Sequence, residues 1–453
     1  MGNDFDWSPQ PGAAAWVAAR SSELRRGLPF AEEIKNRLLA EAGVRFDDLI
    51  DTILIGNDEQ RISDALSAGW VRGPDDHGRG MYTNPNGIFP QVAVFPLYPA
   101  QWMSIILKVE SVADFLSAWK LERPIDPPAY RLRSAGIEEN EDLELDVVER
   151  LAWRGLWTEE HAVDPKMVAE VLDQFRRRQR EFAEDAEGFD YTDRLIDRAI
   201  TSVGRDVACQ LFFAAEREYW MSRNRAGRAQ YARQQRLGLG WANHDHHTYR
   251  SSRKYFSRLV GLWEKLGFAC RERFYAGREA GWGAQVMEQP IAGIVTFNDL
   301  DLSPDELRAD FAHEPLAPRP PSSLGTVGLW CGLHGESLLQ AGMHHLEAQF
   351  SFDALRDQLA AEDVKMLEPF TDFPHLRQAF TEGERWPVAE KRIATLLAEK
   401  LITPEQAKQF REQGAIGSHL ENLERNAGFK GFNQTGVSEI ITATDPRKNL
   451  ASI

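Results

Sequence analysis

The stretch 241-WANHDHHTYRSSRKYFSRLVGLWEKLGF-268 packs three of the chain's eleven histidines into four positions, His244, His246 and His247, directly ahead of a run with helical periodicity. Side chains alternate between faces in an extended segment, so His246 shares a face with Arg250 and His244, while His247 points the other way. One extended stretch cannot bring three such close side chains onto one ion. His246 is therefore the ligand candidate of this segment, with His244 as its substitute. A helix from Arg253 to Leu266 follows, then strands at "FACRERFYAG", "GWGAQVMEQP" and "AGIVTFNDL".

Beyond the proline-rich connector "HEPLAPRPPSSLG" the pattern repeats. "GMHHLEAQFSFDALRDQLAAEDVKM" is again a His-led apolar strand leading into a helix, and "TGVSEIITAT" reads as a late strand. Repetition of this kind is evidence about fold before function. It also places chemistry. Two histidines and one carboxylate converging from separate strands hold a divalent metal and leave positions open for substrate and dioxygen. The second half-unit offers His345 or His344, of which a regular strand turns one inward. Glu288 or Glu439 offers the carboxylate. Val437, Glu439 and Ile441 share a strand face, where a buried glutamate is costly without a cation or donor. The competing account of each histidine is a hydrogen-bonded core residue; the two paired-histidine strands favour metal. Arg250 suits bidentate binding of a substrate carboxylate, which lysine cannot reproduce, and a surface salt bridge is its alternative role.

Outward from this region the chain divides into three. Residues 1–128 read as an N-terminal α/β unit: an apolar strand near "IDTILIG", a helix, the strand "GIFPQVAVFP", and a strand and helix in "WMSIILKVESVADFLSAW". The order resembles half of a βαβββ module without a His and Glu pair, and its one histidine, His77, lies in the loop "GPDDHGRG". Residues 129–240 read as a helical segment, with Asp164 capping and Pro165 opening one helix. Residues 241–453 carry the repeated units.

Sixty-nine acidic against fifty-three basic side chains give a formal charge of -16, which repels phosphate backbones and anionic membranes, so no nucleic acid or membrane partner is expected. The beginning has acids and a tryptophan where a signal peptide needs a basic start and apolar middle, and a cytoplasmic location is expected. Cys209, Cys270 and Cys331 are too widely spaced for a disulfide framework or thiolate cluster.

Residues 241–453 resemble the vicinal oxygen chelate superfamily, whose paired βαβββ modules place metal ligands on facing strands. Within it they resemble the 2-oxoadipate dioxygenase/decarboxylase, or hydroxyglutarate synthase, family. His246 followed four residues later by Arg250, then by a helix ending at Leu266-Gly267, matches that family's first ligand strand, and "HHLEAQFSFDAL" matches the second at His345. The family places a glutamate ligand just ahead of a Gln-x-Gly segment, whereas "GFKGFNQTGVSEII" has Phe432 and Asn433 there and its glutamate later, at Glu439.

The resemblance implies an α+β fold: a paired βαβββ, vicinal-oxygen-chelate-like metal domain with an added helical segment and an N-terminal α/β unit. It implies a non-heme Fe(II) enzyme that takes a small 2-oxo acid and dioxygen and couples decarboxylation to hydroxylation, with His246, His345 and Glu439 as ligands and Arg250 as carboxylate anchor. Mn, Zn or Ni are the alternative metals. A glyoxalase-like lyase or isomerase, a ring-cleaving dioxygenase and a non-catalytic ligand-binding protein are the alternative functions. The fold class also suggests a homodimer.

Overall fold

The computed structural model describes residues 7–125, 131–156, 164–278, 280–317 and 324–433. Helices α1 (Pro11–Gly27) and α2 (Pro29–Ala42) lead into a first sheet. Its elements are β1 (Ile50–Ile55), α3 (Glu59–Ser67), β2 (Val71–Arg72), β3 (Gly80–Thr83), β4 (Gln91–Val94), β5 (Met103–Lys108), α4 (Val112–Ala118), β6 (Leu132–Glu139) and β7 (Leu143–Arg150). The strand order is β2-β3-β4-β1-β5-β7-β6. β1 lies parallel to β4 and antiparallel to β5, and β5 lies parallel to β7. Among the described residues this part of the chain is thus one complete βαβββ module joined to a second with one strand fewer. The 132–150 stretch, assigned from sequence to the helical segment, consists of two strands of this sheet. β7 in fact carries the period-2 pattern of a half-buried strand, Leu143, Leu145 and Val147 alternating with Glu144 and Asp146, a signal the helical reading of this stretch passes over.

Four helices follow: α5 (Pro165–Arg176), α6 (Asp185–Val203), α7 (Arg205–Ser222) and α8 (Arg225–Gln235). Asp164 caps α5 by accepting from Lys166 N at 2.9 Å. The central helix, α7, is buried along most of its length.

The second sheet comprises β8 (His244–Arg250), α9 (Phe256–Lys265), β9 (Ala269–Tyr275), β10 (Trp282–Gln289) and β11 (Ile294–Asp301), then α10 (Thr326–His334), β12 (His345–Gln349), α11 (Phe352–Ala360), β13 (Thr371–Phe373), β14 (Leu376–Phe380) and β15 (Glu384–Trp386). Two helices, α12 (Glu390–Ala398) and α13 (Pro404–Gln413), precede β16 (Ala415–Arg425), the last strand among the described residues. The order β13-β14-β16-β12-β8-β11-β10-β9, with β15 on β16, is two βαβββ modules joined back to back. In each, the first strand runs parallel to the last: β8 with β11, β12 with β16. β8 and β12 form the antiparallel seam. The closing strand of the second module is β16; the late strand expected at "TGVSEIITAT", with Glu439, lies outside the described residues.

Local chemistry explains the seam. Helix α9 turns Phe256, Leu259, Val260 and Trp263 inward and ends at Gly267, whose φ of 93° is the left-handed conformation that glycine adopts without a Cβ penalty. On the outer face of β8, His247 and Tyr249 meet Phe213 of α7, with ring centroids at 5.2 and 6.0 Å. Trp220 Nε1 donates to Ser418 Oγ on β16 at 2.7 Å. The helical segment therefore covers one face of the central strands, and the other face is left to the cavity described next. Among the described residues no helix is long and apolar enough to cross a membrane.

The loop after α10 carries a pH-dependent element. Buried Glu336 accepts from Ser251 Oγ at 2.8 Å and from Ser252 N at 3.2 Å, and burial pushes its carboxyl from 4.5 up to about 7. The folded chain holds this proton more tightly than the unfolded chain, so this group's contribution to stability is lost as pH rises from 4.5 to about 7. Glu336→Gln is expected to match wild type near pH 5 and to exceed it near pH 8 by up to about 3 kcal/mol, read from denaturation curves. Identical pH slopes for the two proteins contradict this.

Candidate metal centre

The tripeptide His-Leu-Glu occurs twice, at 345–347 on β12 and at 419–421 on β16. Parallel pairing sets the copies side by side, His345 beside His419 and Glu347 beside Glu421. Across the seam, His246 lies opposite Glu347 and Thr248 opposite His345. Three adjacent strands therefore present imidazoles and carboxylates on one face. They line a cavity with about 70 Å³ open to the centre of a water molecule, room for a few waters or one few-carbon acid. Phe274, Trp282, Phe297, Phe370, Phe380 and Phe432 form its apolar walls.

Glu347 Oε1 sits at the middle. It lies 2.9 Å from His246 Nε2 and 2.5 Å from His345 Nε2, and accepts from Thr248 Oγ1 at 2.8 Å. Glu421 Oε2 is 3.7 Å from His345 Nε2, and Glu421 Oε1 accepts from Gln378 Nε2 at 2.7 Å. One donor atom each from His345, Glu347 and Glu421 falls within 4.8 Å of the others, and the same holds for His344, His345 and His419.

His246 is oriented from behind. Its Nδ1 lies 2.7 Å from Asp245 Oδ1, and Asp245 is in turn held by Arg425 at 2.8 and 3.0 Å and by Gln349 at 2.8 Å. Arg425 keeps Asp245 ionised, well below the usual carboxylate range against the opposing effect of burial, so its oxygen accepts and His246 carries its proton on Nδ1. The Nε2 lone pair then faces Glu347 Oε1, an acceptor facing an acceptor. A proton or a cation must lie between them.

The electrostatics point the same way. Burial, then the neighbouring carboxylate, pushes Glu347 well above the ordinary range, and burial raises Glu421 to about 8. Burial lowers His246, lowers His345 far more, and takes His419 to about 3. Without a cation these two carboxyls resist ionising beside neutral imidazoles; a bound divalent cation would favour their ionised form and offset the cost of burying it. Among the described residues Glu347 Oε2 and His419 Nε2 are buried with no hydrogen-bond partner, as electron-pair donors directed at an ion would be. The donor set fits a metal of the Mn, Fe, Ni or Zn kind.

At one end of the cavity, buried Arg250 approaches Asp299 Oδ2 through Nε at 3.5 Å and lies over the Trp330 ring at 5.6 Å. Burial raises Asp299 to about 7, so it balances the guanidinium only in part near neutrality.

The structure brings His246, His345 and Arg250 to one cavity. His344 also lines it, because it precedes the regular part of β12 and escapes strand alternation. His244 does not reach it: a register shift between Glu347 and Ala348 turns it to the His247 side, and its Nδ1 is 2.8 Å from Trp241 O. Glu288 is corrected as a ligand candidate. It is paired with Arg271 and Lys430, each at 3.2 Å, on the wall of a different cavity. Glu347, Glu421 and His419 are the residues that sequence reasoning missed. The repeated His-Leu-Glu was the available signal.

Asp245→Asn is expected to lower retained metal 10- to 100-fold on dialysis against chelator while leaving the far-ultraviolet circular dichroism unchanged, because the amide no longer enforces the Nδ1–H form of His246 (roughly the range for outer-shell changes). Wild-type retention in this variant removes the orienting role of Asp245.

Paired βαβββ modules with imidazole and carboxylate donors on their facing strands are the vicinal oxygen chelate fold, and this chain has that fold. No protein-family profile and no curated protein sequence matches the chain. Similar solved structures include a mutant of 4-hydroxymandelate synthase from Streptomyces coelicolor, with 13% identity, 88% of this chain and 97% of that chain covered and a TM-score of 0.25. Methylmalonyl-CoA epimerase from Mycobacterium tuberculosis is similar at 12% identity, covering 41% of this chain and 88% of its own, with a TM-score of 0.23. Glyoxalase I from Zea mays is similar at 15% identity over 22% of this chain and 42% of its own, with a TM-score of 0.17.

Proposed function

We propose that the protein is a metal-dependent enzyme of the vicinal oxygen chelate type, an Fe(II) dioxygenase/decarboxylase acting on a small 2-oxo acid. The observation that supports this most is the convergence of His246, His345, Glu347 and Glu421 in one aromatic-walled cavity that has Arg250 at its end. His246, His345 and Glu421 would hold the ion, with Glu347 beside them held by Thr248. When bound, the ion supplies Lewis acidity and a template on which a chelating 2-oxo acid and dioxygen meet. Arg250 takes the distal carboxylate of the substrate, since its guanidinium is buried and only partly balanced by Asp299. The phenylalanine and tryptophan walls keep bulk water from the reacting carbons. Anaerobically purified protein is expected to hold one metal per chain and to consume dioxygen and release carbon dioxide with 2-oxoadipate or a shorter homologue.

A specific observation favours a second reading. Glu347 is a fourth donor, and four protein ligands on a six-coordinate ion leave two positions, enough for a chelating substrate but not for dioxygen as well. Glu347 would then serve a glyoxalase-like lyase or isomerase as ligand or base, with Zn, Ni or Mn. One metal per chain with no dioxygen uptake selects this reading over the first; no stoichiometric metal removes both.

A further inference from the structure

A second cavity, with about 670 Å³ open to the centre of a water molecule, lies between the two sheets; it shares no lining residue with the metal-site cavity, though Asp245 and Arg425, which orient His246 from behind, line it. Eight cationic and five acidic side chains line it, in a chain whose acids outnumber its bases sixty-nine to fifty-three. Most of these charges are matched. Arg45 pairs with Asp48 at 2.7 Å and Arg425 with Asp245 at 2.8 Å, and Glu288 takes both Arg271 and Lys430.

Two cations are left over. Lys108, at the end of β5, has no hydrogen-bond or ion-pair partner among the described residues, and Arg154 donates through Nε to the backbone carbonyl of Pro290 at 2.9 Å. Lys108 is half-buried and Arg154 exposed; burial lowers the Lys108 ammonium and Arg154 depresses it further, while Asp51 opposes this. Two cations of like charge lining one cavity are stabilised by an anion bound within it. Arg154 also ties the first half of the chain to the β10–β11 turn, so this charge sits at the junction of the sheets.

We propose that this inter-sheet cavity binds a small anion carrying a carboxylate or phosphate group, with Lys108 and Arg154 as its charge partners. The ammonium acts as a point charge and the guanidinium as a planar donor, a combination that suits an oxyanion. The site is separate from the metal centre and needs no metal.

Isothermal titration of the full chain with inorganic phosphate, and separately with succinate, tests this at fixed ionic strength. One site per chain is expected for at least one probe, and which probe binds tells phosphate from carboxylate recognition. Lys108→Met and Arg154→Gln should each weaken that binding by about tenfold or more, whereas His246→Ala should leave it within about twofold. On the unmodified chain, the bound probe should slow acetylation of Lys108, followed by mass spectrometry, which decides the matter even where a variant fails to fold. Binding of neither probe, binding unaffected by both substitutions, or binding lost in His246→Ala overturns the proposal.

Discussion

The His246→Ala and Glu421→Gln variants are expected to purify with less than about a hundredth of the wild-type metal affinity and without measurable turnover, since outer-shell changes alone cost about 10- to 100-fold and these remove direct donors. His246 offers a lone pair fixed toward the centre by Asp245, and neither of its neighbours on β8 can replace it, because His247 faces α7 and His244 is turned away by the register shift. Glu421 sits beside Glu347 on the adjacent strand and supplies the second carboxylate. Both variants should fold, for the cavity walls are aromatic and remain intact. His244→Ala serves as the control and should keep full metal. Elemental analysis of anaerobically purified protein reads the result, and full occupancy in a His246→Ala, Glu421→Gln double variant would sink the assignment of these donors.

The largest expected loss of stability lies elsewhere. Glu216 of α7 bridges Arg178 at 3.1 Å and Arg180 at 2.6 Å, with all three side chains buried. The arginines also reach the backbone carbonyls of Leu338 and Leu339 in the loop ahead of β12, so the trio ties the helical segment to the strand that carries His345. Glu216→Ala leaves two buried guanidiniums without their counter-charge, and breaking such a pair costs about 3–5 kcal/mol. A drop of several degrees in the thermal midpoint should follow. Arg176 and Glu218 form a pair one turn away with 45% and 44% of their side chains exposed. Neutralising that pair should change stability by less than about 1 kcal/mol, because water screens it. Equal midpoints for the two variants would contradict the assigned weight of burial.

Much of the candidate site was legible as periodicity. Strand alternation set His246 and Arg250 on one face, and both line the cavity. The repeat of a His-led strand and a helix matches the two modules of the second sheet. Two features were not. The first part of the chain pairs βαβββ-like modules as well, but its strands are short and the second copy has one fewer among the described residues, and no histidine or internal match marks that copy. The carboxylates of β12 and β16 were not legible: β16 follows two helices and carries half-polar residues, which weakens its apolar signal, and Glu439, the isolated strand glutamate of the sequence, lies outside the described residues.

Local pattern, being a property of neighbours along the chain, is enough to say that the region from Trp241 forms strands and helices of a metal-ligand type, with His246, His345 and Arg250 as its candidates. It cannot say which distant strands touch. The parallel pairing of β12 with β16, seventy-four residues apart at His345 and His419, is what sets the two His-Leu-Glu copies side by side and opposes them to His246. A one-residue slip in that register would send every one of these donors to the opposite face. The donor set is accordingly a property of sheet registration, and registration is chosen by burial of the whole core, including the face of the central strands that α7 covers.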